Sequence, residues 1–242
     1  MINVRDGNSL LLKYSADEEN KVESVTTLRC GLPRFFNLSA DSVRSERFTS
    51  LATNEEQAYY QYETLAQVRR ALMEGAQVEL ISSLKTNGDC AHLTWSTELD
   101  AWVITSQNVS IVAKNEKEVK TLYPEQTRYF LARKIALCWM RKLKSLSQER
   151  LDALKSDLAE CVFVGDFIGN RELINLINYA RETIMFHSVV RKSRDVSIAR
   201  ETFYGEPNSF EILQRHSGSI DVVPSRNFGT FSSYEDLCSE LA

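Results

Sequence analysis

The chain has 242 residues and a mass of 27.6 kDa, which suits one large domain or one domain with a small appendage. Hydrophobic residues make up 43% of it and charged residues 26%, so collagen-like, coiled-coil and wholly disordered chains are excluded. The 29 basic and 33 acidic residues give a net charge of −4. No global field therefore draws the protein to a polyanion, and any such contact needs a local basic patch.

The cysteines and the N-terminus indicate the compartment. The five cysteines are scattered without a CxxC pair, and His92, His187 and His216 are not at metal-ligand spacing. This pattern argues against a disulfide framework and a zinc site, and it favours a reducing compartment. The chain shows no secretory signal, transit peptide or apolar run of roughly 18 residues. We therefore expect an intracellular protein without membrane contact. The cytoplasm and the nucleus are favoured over an organelle.

Hydrophobic periodicity in the first half of the chain predicts one helix and several short strands. Over residues 55–73 apolar side chains recur at three- and four-residue steps before Gly75, which predicts an amphipathic helix with a glycine C-cap. Three strand patterns come next, at 78–84, 92–95 and 102–106. Asn87-Gly88 and residues 98–100 are turn signals between them. We therefore expect an antiparallel meander.

The second half of the chain predicts helices between further strands. Pro124 opens a helical pattern that continues to Leu146, because proline suits the first turn of a helix. The next elements are a helix at 148–160, a strand at 161–169, a short helix at 171–180 and a strand at 183–190. A capping-box pattern at Ser232–Glu235 begins a last amphipathic helix. Hairpin strands with interposed helices indicate an α+β fold and not a doubly wound sheet.

The segment Lys85-Thr86-Asn87-Gly88 is the first candidate for chemistry. A lysine at the end of a strand can direct its amine into a cleft, while a glycine three residues later lets a backbone or a phosphate come close. The same pattern also occurs in an ordinary hairpin turn with a solvated lysine. The segments downstream decide between these two interpretations.

Four boxes, in order along the chain, resemble those of ATP-dependent RNA ligases. LKTNGDCAHLTWSTELDAWVITSQNVSIVAKN (84–115) is similar to the nucleotidyltransferase box, its hairpin and the following Ser-Arg/Lys-Asn/Gly box. FVGDFIGN (163–170) and TIMFHSVVRK (183–192) are similar to the two later boxes. With the flanking segments PRFFNLS (33–39) and VVPSRNFGTFSSYEDLCSEL (222–241), the resemblance covers residues 33–242.

This resemblance implies a fold and a domain organisation. The fold would be the α+β nucleotidyltransferase fold of RNA and DNA ligase adenylation domains, with antiparallel sheets and packed helices. Residues 1–32 would be an N-terminal extension, and residues 33–242 the ligase-like domain. In the family, the last helix leads into a Glu-Gly-x-Val box and a lysine box, and neither occurs in this sequence. We therefore expect that the C-terminal part of the domain is missing and that this chain alone does not complete a ligation cycle.

The resemblance also implies roles for individual residues. Lys85 would attack the α-phosphate of ATP and carry AMP as a phosphoramidate, which requires a deprotonated amine. Gly88 would allow the turn and the close approach of phosphate, and Asn87 is either a ligand or the left-handed residue of that turn. Asp166 would bind the ribose hydroxyls or help to hold Mg²⁺, although a carboxylate that bonds a local turn at a strand end fits the pattern too. Family members more often carry glutamate at the position of Asp166.

Two further residues and a basic helix face correspond to functional features of the family. Phe186 matches the aromatic residue that stacks on adenine, although an aromatic side chain in a strand is usually part of the core. Gln107 stands where the family has a basic residue that contacts phosphate or the RNA end, so a hydrogen bond is kept and a charge is lost. The helix after Pro124 carries either a local RNA patch or a solvated basic face. Its basic residues are Arg133, Lys134, Arg141, Lys142 and Lys144.

The leading interpretation is an enzyme that uses ATP and Mg²⁺ to adenylylate Lys85 and then joins RNA 5′-phosphate and 3′-hydroxyl ends. RNA ends would be its substrates, and either a longer natural chain or a partner protein would supply the missing boxes. The alternative is a ligase-like protein that has lost catalysis and serves as an RNA-binding or assembly subunit, which Gln107 favours. Guanylylation of the capping type is a third and less well matched interpretation.

Overall fold

The computed structural model describes residues 9–16, 21–31, 66–169, 177, 179–192 and 209–241. They form an α+β structure with antiparallel sheets and several helices, as the sequence predicts. The chain divides into two compact units, of which the first joins Met1–Leu32 to Lys85–Val223 and the second joins Pro33–Leu84 to Pro224–Ala242. The described residues before position 32, which include the strands Ser9–Tyr14 and Val22–Arg29, belong to the unit that contains the largest sheet.

The elements are numbered in chain order. The described strands are β1 (Ser9–Tyr14), β2 (Val22–Arg29), β3 (Val78–Ser83), β4 (Asp89–Ser96), β5 (Ala101–Thr105), β6 (Ser110–Ala113), β7 (Cys161–Ile168), β8 (Thr183–Arg191), β9 (Asp221–Val222) and β10 (Ser225–Phe231). The described helices are α1 (66–73), α2 (Glu116–Leu122), α3 (Phe130–Leu143), α4 (Gln148–Glu160), α5 (Ser209–Arg215) and α6 (Tyr234–Glu240).

The first unit is built on a six-stranded sheet with the strand order β6-β5-β4-β7-β8-β9. Its neighbouring strands are antiparallel except for the short β9, which runs parallel to β8. β4, β5 and β6 form a meander, with Trp95 opposite Trp102 across the β4–β5 turn. β1 and β2 form an antiparallel hairpin of their own in the same unit.

Helices cover one face of the six-stranded sheet. Alternate residues of its strands pack with α3, α4 and α5 into one core, as the two-residue period of a strand requires. Trp102, Trp139 and Phe186 are each at most 2% exposed in this core. The remaining alternate residues, among them the polar side chains of β4 and β7, therefore belong to the opposite face.

The second unit pairs β3 with β10 in a two-stranded antiparallel sheet. Helix α1 ends at the predicted glycine C-cap, where Gly75 has a φ of 86° and its N–H donates to Leu72 O at 3.1 Å. The rest of that predicted helix, residues 55–65, lies outside the described residues. The guanidinium carbon of Arg69 lies 5.8 Å from the centre of the Tyr234 ring, so a cation–π contact joins α1 to α6.

Several predicted elements are confirmed close to their predicted bounds. Helix α4 has the predicted bounds of 148–160, and β5, β7 and β8 match their predicted strands within one residue at each end. The predicted helix at 171–180 falls largely outside the described residues. No described helix has both the length and the apolar character that a membrane crossing requires.

Helix α3 is shorter than the predicted helix at 124–146. The Thr127 hydroxyl donates to Pro124 O at 2.8 Å and accepts from the Tyr129 N–H at 3.2 Å. These bonds form a local turn, and they occupy backbone groups that would otherwise take part in the first turn of the helix. The predicted start at Pro124 is therefore wrong, because a threonine side chain competes for the backbone before the helix begins.

The predicted hairpin between β3 and β4 is also wrong. Asn87 does have the left-handed φ of 51° that a turn residue can adopt, but residues 84–88 form an irregular connection. β3 pairs instead with β10, from the other end of the chain. A turn signal describes local backbone conformation only, so it cannot identify a distant partner strand.

The cap of α6 differs from the predicted capping box by one residue. Ser233, not Ser232, is the N-cap, and its hydroxyl accepts from the N–H groups of Glu235 at 3.2 Å and Asp236 at 3.4 Å. We expect Ser233→Ala to lower the free energy of unfolding by about 1 kcal/mol because two backbone donors lose their acceptor. Urea denaturation measures this. Ser232→Ala is the matched control, and an equal loss in both variants would contradict the assignment.

Candidate functional site

The Lys85 segment lies in the first unit, directly before β4. Lys85 and Asn87 are exposed, whereas Thr86 between them is only 2% exposed. The Thr86 hydroxyl donates to Asp166 Oδ2 in β7. A buried threonine therefore anchors a segment whose lysine is exposed.

Gly88 brings the same segment against β7. A Cβ atom at this position would lie 2.5 Å from Phe167 O and 2.9 Å from Asp166 Cβ, so a residue larger than glycine does not fit without movement. The structure thus places the first and third boxes of the resemblance in direct contact. The glycine meets protein backbone there, which is one of the two close approaches that the sequence predicts.

A third element also contacts the Lys85 segment. The half-buried Tyr179, in the chain that leads to β8, donates its hydroxyl to Thr86 O. Thr86 is therefore held through its side chain by one element and through its carbonyl by another. Neither Thr86 nor Tyr179 stands at a box position with an expected role, so the sequence contains no signal that identifies them.

Gln107 lies in the turn between β5 and β6, where Ser106 N–H donates to Val109 O at 2.9 Å. The Gln107 side chain is exposed. Because Thr105 at the end of β5 lies opposite His92 near the start of β4, this turn is at the same end of the sheet as the Lys85 segment. The contacts described for this turn do not join Gln107 to Lys85 or Asp166.

Phe186 lies in the core and not beside Lys85. Its ring is 1% exposed and meets the Trp139 and Phe163 rings edge to face, both at 5.9 Å. The cavity next to it holds about 10 Å³, which is room for about one water and not for an adenine ring. Phe186 and Asp166 are on opposite faces of the sheet, so the expected cleft with both residues is not formed in this structure.

A β-bulge puts Phe186 on the face of the sheet opposite Asp166. Val164 pairs with Ser188, but the next residue, Gly165, pairs with Phe186, so His187 is an extra residue in β8. Asp166 then pairs with Met185. Met185, not Phe186, therefore shares the face of Asp166.

A polar cluster that the sequence did not reveal lies on this same face. Arg29 Nη1 lies 2.5 Å from His92 Nδ1, and His92 Nε2 lies 3.5 Å from Cys90 Sγ. Cys90 is the direct cross-strand neighbour of Asp166. Arg29 is 3% exposed and comes from β2, so the N-terminal hairpin contributes to the face that carries Asp166.

Burial determines the protonation of this cluster. It lowers the pKa of His92 to about 3, with Arg29 as a second cause, and it lowers the pKa of Arg29 to about 10. Because a guanidinium has donors only, His92 Nδ1 accepts and Nε2 carries the proton. His92 therefore cannot act as a base toward Cys90. Burial also raises the pKa of the Cys90 thiol, although Arg29 acts in the opposite direction, so this cysteine is not an activated nucleophile.

The pKa of His187 is also subject to two opposing effects. Burial lowers the pKa of its imidazole, and the Asp166 carboxylate opposes that change. Its Nδ1 lies 2.8 Å from the Ser188 hydroxyl. The charge of Asp166 therefore acts on residues of both neighbouring strands, Cys90 in β4 and His187 in β8. A regular alternation of Cys90 and His92 was visible in the sequence, but their link to Arg29 was not.

The described residues offer neither a metal centre nor an unpaired basic surface on α3. Among the described residues, no group of three or more His, Cys, Asp and Glu side chains is placed to hold a metal ion. The basic residues of α3 mostly face acids: Arg133 lies 3.5 Å from Glu125 and Arg141 lies 3.4 Å from Glu182. Lys142 and Lys144 pair with Asp221 and Glu116. This pattern favours the solvated helix face over an RNA patch.

Comparison of the chain with protein-family models, with curated proteins and with solved structures gives no match.

Phe186 provides a direct test of its placement. We expect Phe186→Leu to lower the free energy of unfolding by about 1 kcal/mol because a ring that fills the core is exchanged for a smaller apolar group. Its affinity for ATP should stay at the wild-type value. Urea denaturation and calorimetric titration measure the two quantities. A large loss of ATP affinity with unchanged stability would return Phe186 to the adenine-stacking role.

His92 predicts a pH dependence of stability. Its pKa is about 3 in the folded protein against an ordinary 6.5, so the unfolded chain binds the extra proton below pH 6.5. The stabilisation is full above pH 6.5 and is lost as the pH falls toward 3. From pH 7 to pH 5 we expect wild type to lose about 2 kcal/mol more than His92→Gln. Urea denaturation at both pH values measures the difference, and equal losses would contradict the assignment.

Proposed function

We propose that the first unit is a nucleotidyltransferase of the RNA ligase type, in which Lys85 accepts AMP from ATP. The observation that carries this proposal is the hydrogen bond from Thr86, in the Lys85 segment, to Asp166 in β7. This bond joins residues of two different boxes across 80 positions of sequence. Gly88 reinforces the contact by its close approach to β7. A KxxG pattern that occurred by chance would not be expected to lie this close to a second box.

The geometry suits an attack by the lysine amine. Lys85 is exposed next to the buried Thr86, so its side chain can reach a bound nucleotide while its backbone is fixed. In the proposed step a neutral amine attacks the α-phosphorus, the new P–N bond forms, and the bond to pyrophosphate breaks. The amine proton leaves to solvent, and pyrophosphate carries away the electron pair. Holding the lysine close to phosphorus is the contribution of the protein.

In this proposal Mg²⁺ would be held mainly by the phosphates of the nucleotide, which is the usual way in which this ion binds in nucleotide sites. Asp166 is half-buried, and its Oδ2 already accepts the hydrogen bond from Thr86. When bound, the ion neutralises charge on the triphosphate. Phe186 does not contribute to base binding in this proposal because its ring is enclosed by the core.

The α+β architecture is compatible with the nucleotidyltransferase fold, and RNA ends are the proposed acceptor of the AMP group. The second candidate function is a noncatalytic ligase-like RNA-binding subunit. The exposed Gln107 favours it, since an uncharged residue stands where the family has a cation. The ion-paired basic residues of α3 do not favour it.

The proposal predicts a covalent lysyl-AMP. We expect purified protein to acquire label from α-labelled ATP with Mg²⁺, in an acid-labile adduct that mass spectrometry maps to Lys85. Lys85→Met should abolish the adduct because no other amine takes its position. Lys117→Met, which changes an exposed lysine of α2, should label like wild type.

The same experiment separates the competing functions. Labelling from GTP and not ATP would favour the capping type of guanylylation. Absence of label from a folded protein that binds ATP would overturn the enzymatic proposal and favour the noncatalytic subunit.

A further inference from the structure

The Lys85 segment is held from two sides at one residue. We propose that Tyr179, Thr86 and Asp166 form a lock that fixes the backbone next to Lys85, and that the main role of Asp166 is to hold Thr86. Thr86 and Tyr179 are then positioning residues for the lysine. This inference rests on the proposed function and deepens it. It also assigns a role to Asp166 that differs from the ribose or metal contact implied by the resemblance.

The burial pattern identifies Thr86 as the anchor. Thr86 is 2% exposed, while its neighbours Lys85 and Asn87 are exposed. Thr86 cannot contact a ligand from this position, so its influence must pass through the backbone. The Cα atoms of adjacent residues are about 3.8 Å apart, and any shift of Thr86 therefore moves Lys85.

The two hydrogen bonds restrain different degrees of freedom. The bond from the Thr86 hydroxyl to Asp166 Oδ2 fixes the side chain against β7. The bond from the Tyr179 hydroxyl to Thr86 O fixes the peptide plane that follows. A residue held at both groups cannot rotate about its backbone without breaking one of these bonds, and a buried acceptor that loses its donor is unfavourable.

Close packing holds both partners of Thr86 in place. The backbone at Gly88 already lies against β7, because a Cβ atom there would be 2.5 Å from Phe167 O. The Lys85 segment therefore cannot shift toward β7. Gly169, directly after β7, lies close to the segment that leads into β8, since a Cβ atom on Gly169 would be 2.1 Å from Arg181 O. That contact keeps the chain around Tyr179 beside the end of β7. The lock is therefore assembled from rigid contacts on each side.

The chemistry of Asp166 separates the lock from a ligand role. A hydrogen bond from a hydroxyl needs one acceptor oxygen, and the asparagine side chain provides one. Asp166→Asn therefore keeps the lock, and Asp166→Ala removes it. A carboxylate that held Mg²⁺ would lose its function in both variants, since an amide brings no negative charge.

The test compares pairs of variants in single-turnover adenylylation at saturating ATP. We expect Thr86→Val, Asp166→Ala and Tyr179→Phe to lower the rate constant by about 10-fold to 100-fold, which is the effect of a small misplacement of the nucleophile. Thr86→Ser and Asp166→Asn should stay close to wild type. The affinity for ATP should change little in all five variants. The matched controls are Thr121→Val and Tyr14→Phe, at exposed positions of α2 and β1.

Two outcomes would overturn the lock. Asp166→Asn as slow as Asp166→Ala would mean that the charge matters and not the acceptor. Thr86→Val as fast as Thr86→Ser would mean that the hydroxyl is dispensable. In a double-mutant cycle, Thr86→Val combined with Asp166→Ala should be no slower than either change alone, because both remove the same bond.

Hydrogen exchange distinguishes failure of the lock from failure of the proposed function. Mass spectrometry should show slower amide exchange at residues 85–88 in wild type, Thr86→Ser and Asp166→Asn than in Thr86→Val, Asp166→Ala and Tyr179→Phe. This readout needs no ATP and no catalysis. Equal exchange in all variants would overturn the lock, whereas the expected exchange pattern without any lysyl-AMP would leave the lock intact and overturn the enzymatic role.

Discussion

The edge-to-face contacts between aromatic rings determine how the first unit is organised. Trp95 meets Trp102 at 4.9 Å, Trp102 meets Trp139 at 5.4 Å, and Phe186 joins Trp139 to Phe163 at 5.9 Å each. These rings tie β4, β5, β7 and β8 to helix α3 through one face of the sheet. Because side chains alternate along a strand, the polar residues of β4 and β7, Asp166 among them, lie on the other face of the sheet.

The sequence predicted elements with strong local patterns and missed those that depend on distant contacts. Helix α4 has its predicted bounds because its apolar period is regular and a serine caps its start. The start of α3 was wrong because Thr127 closes a local turn before it. The partner of β3 was wrong because β10 comes from the far end of the chain. Periodicity contains no information about either effect.

The candidate site shows the same division. The segments that carry Lys85 and Asp166 are in contact through Thr86 and Gly88, and each segment is a short local pattern with a glycine that is visible in the sequence. The resemblance also gives Phe186 a stacking role beside them, whereas the bulge at His187 puts its buried ring on the opposite face of the sheet. Arg29 could not be anticipated, because its contact with His92 spans 63 residues and lies outside the segment that the resemblance covers.

The pairing of β3 with β10 has a consequence for the order of events during synthesis. Among the described residues, β3 has β10 as its partner strand, and the ribosome makes all of Lys85–Val223 between them. At the usual elongation rates of about 5–20 residues per second, about 7–28 seconds pass before β10 is made, and β3 is without this partner strand during this time. A nascent chain with such an edge is open to pairing with another chain, so chaperone binding during this interval would favour correct completion of the second unit.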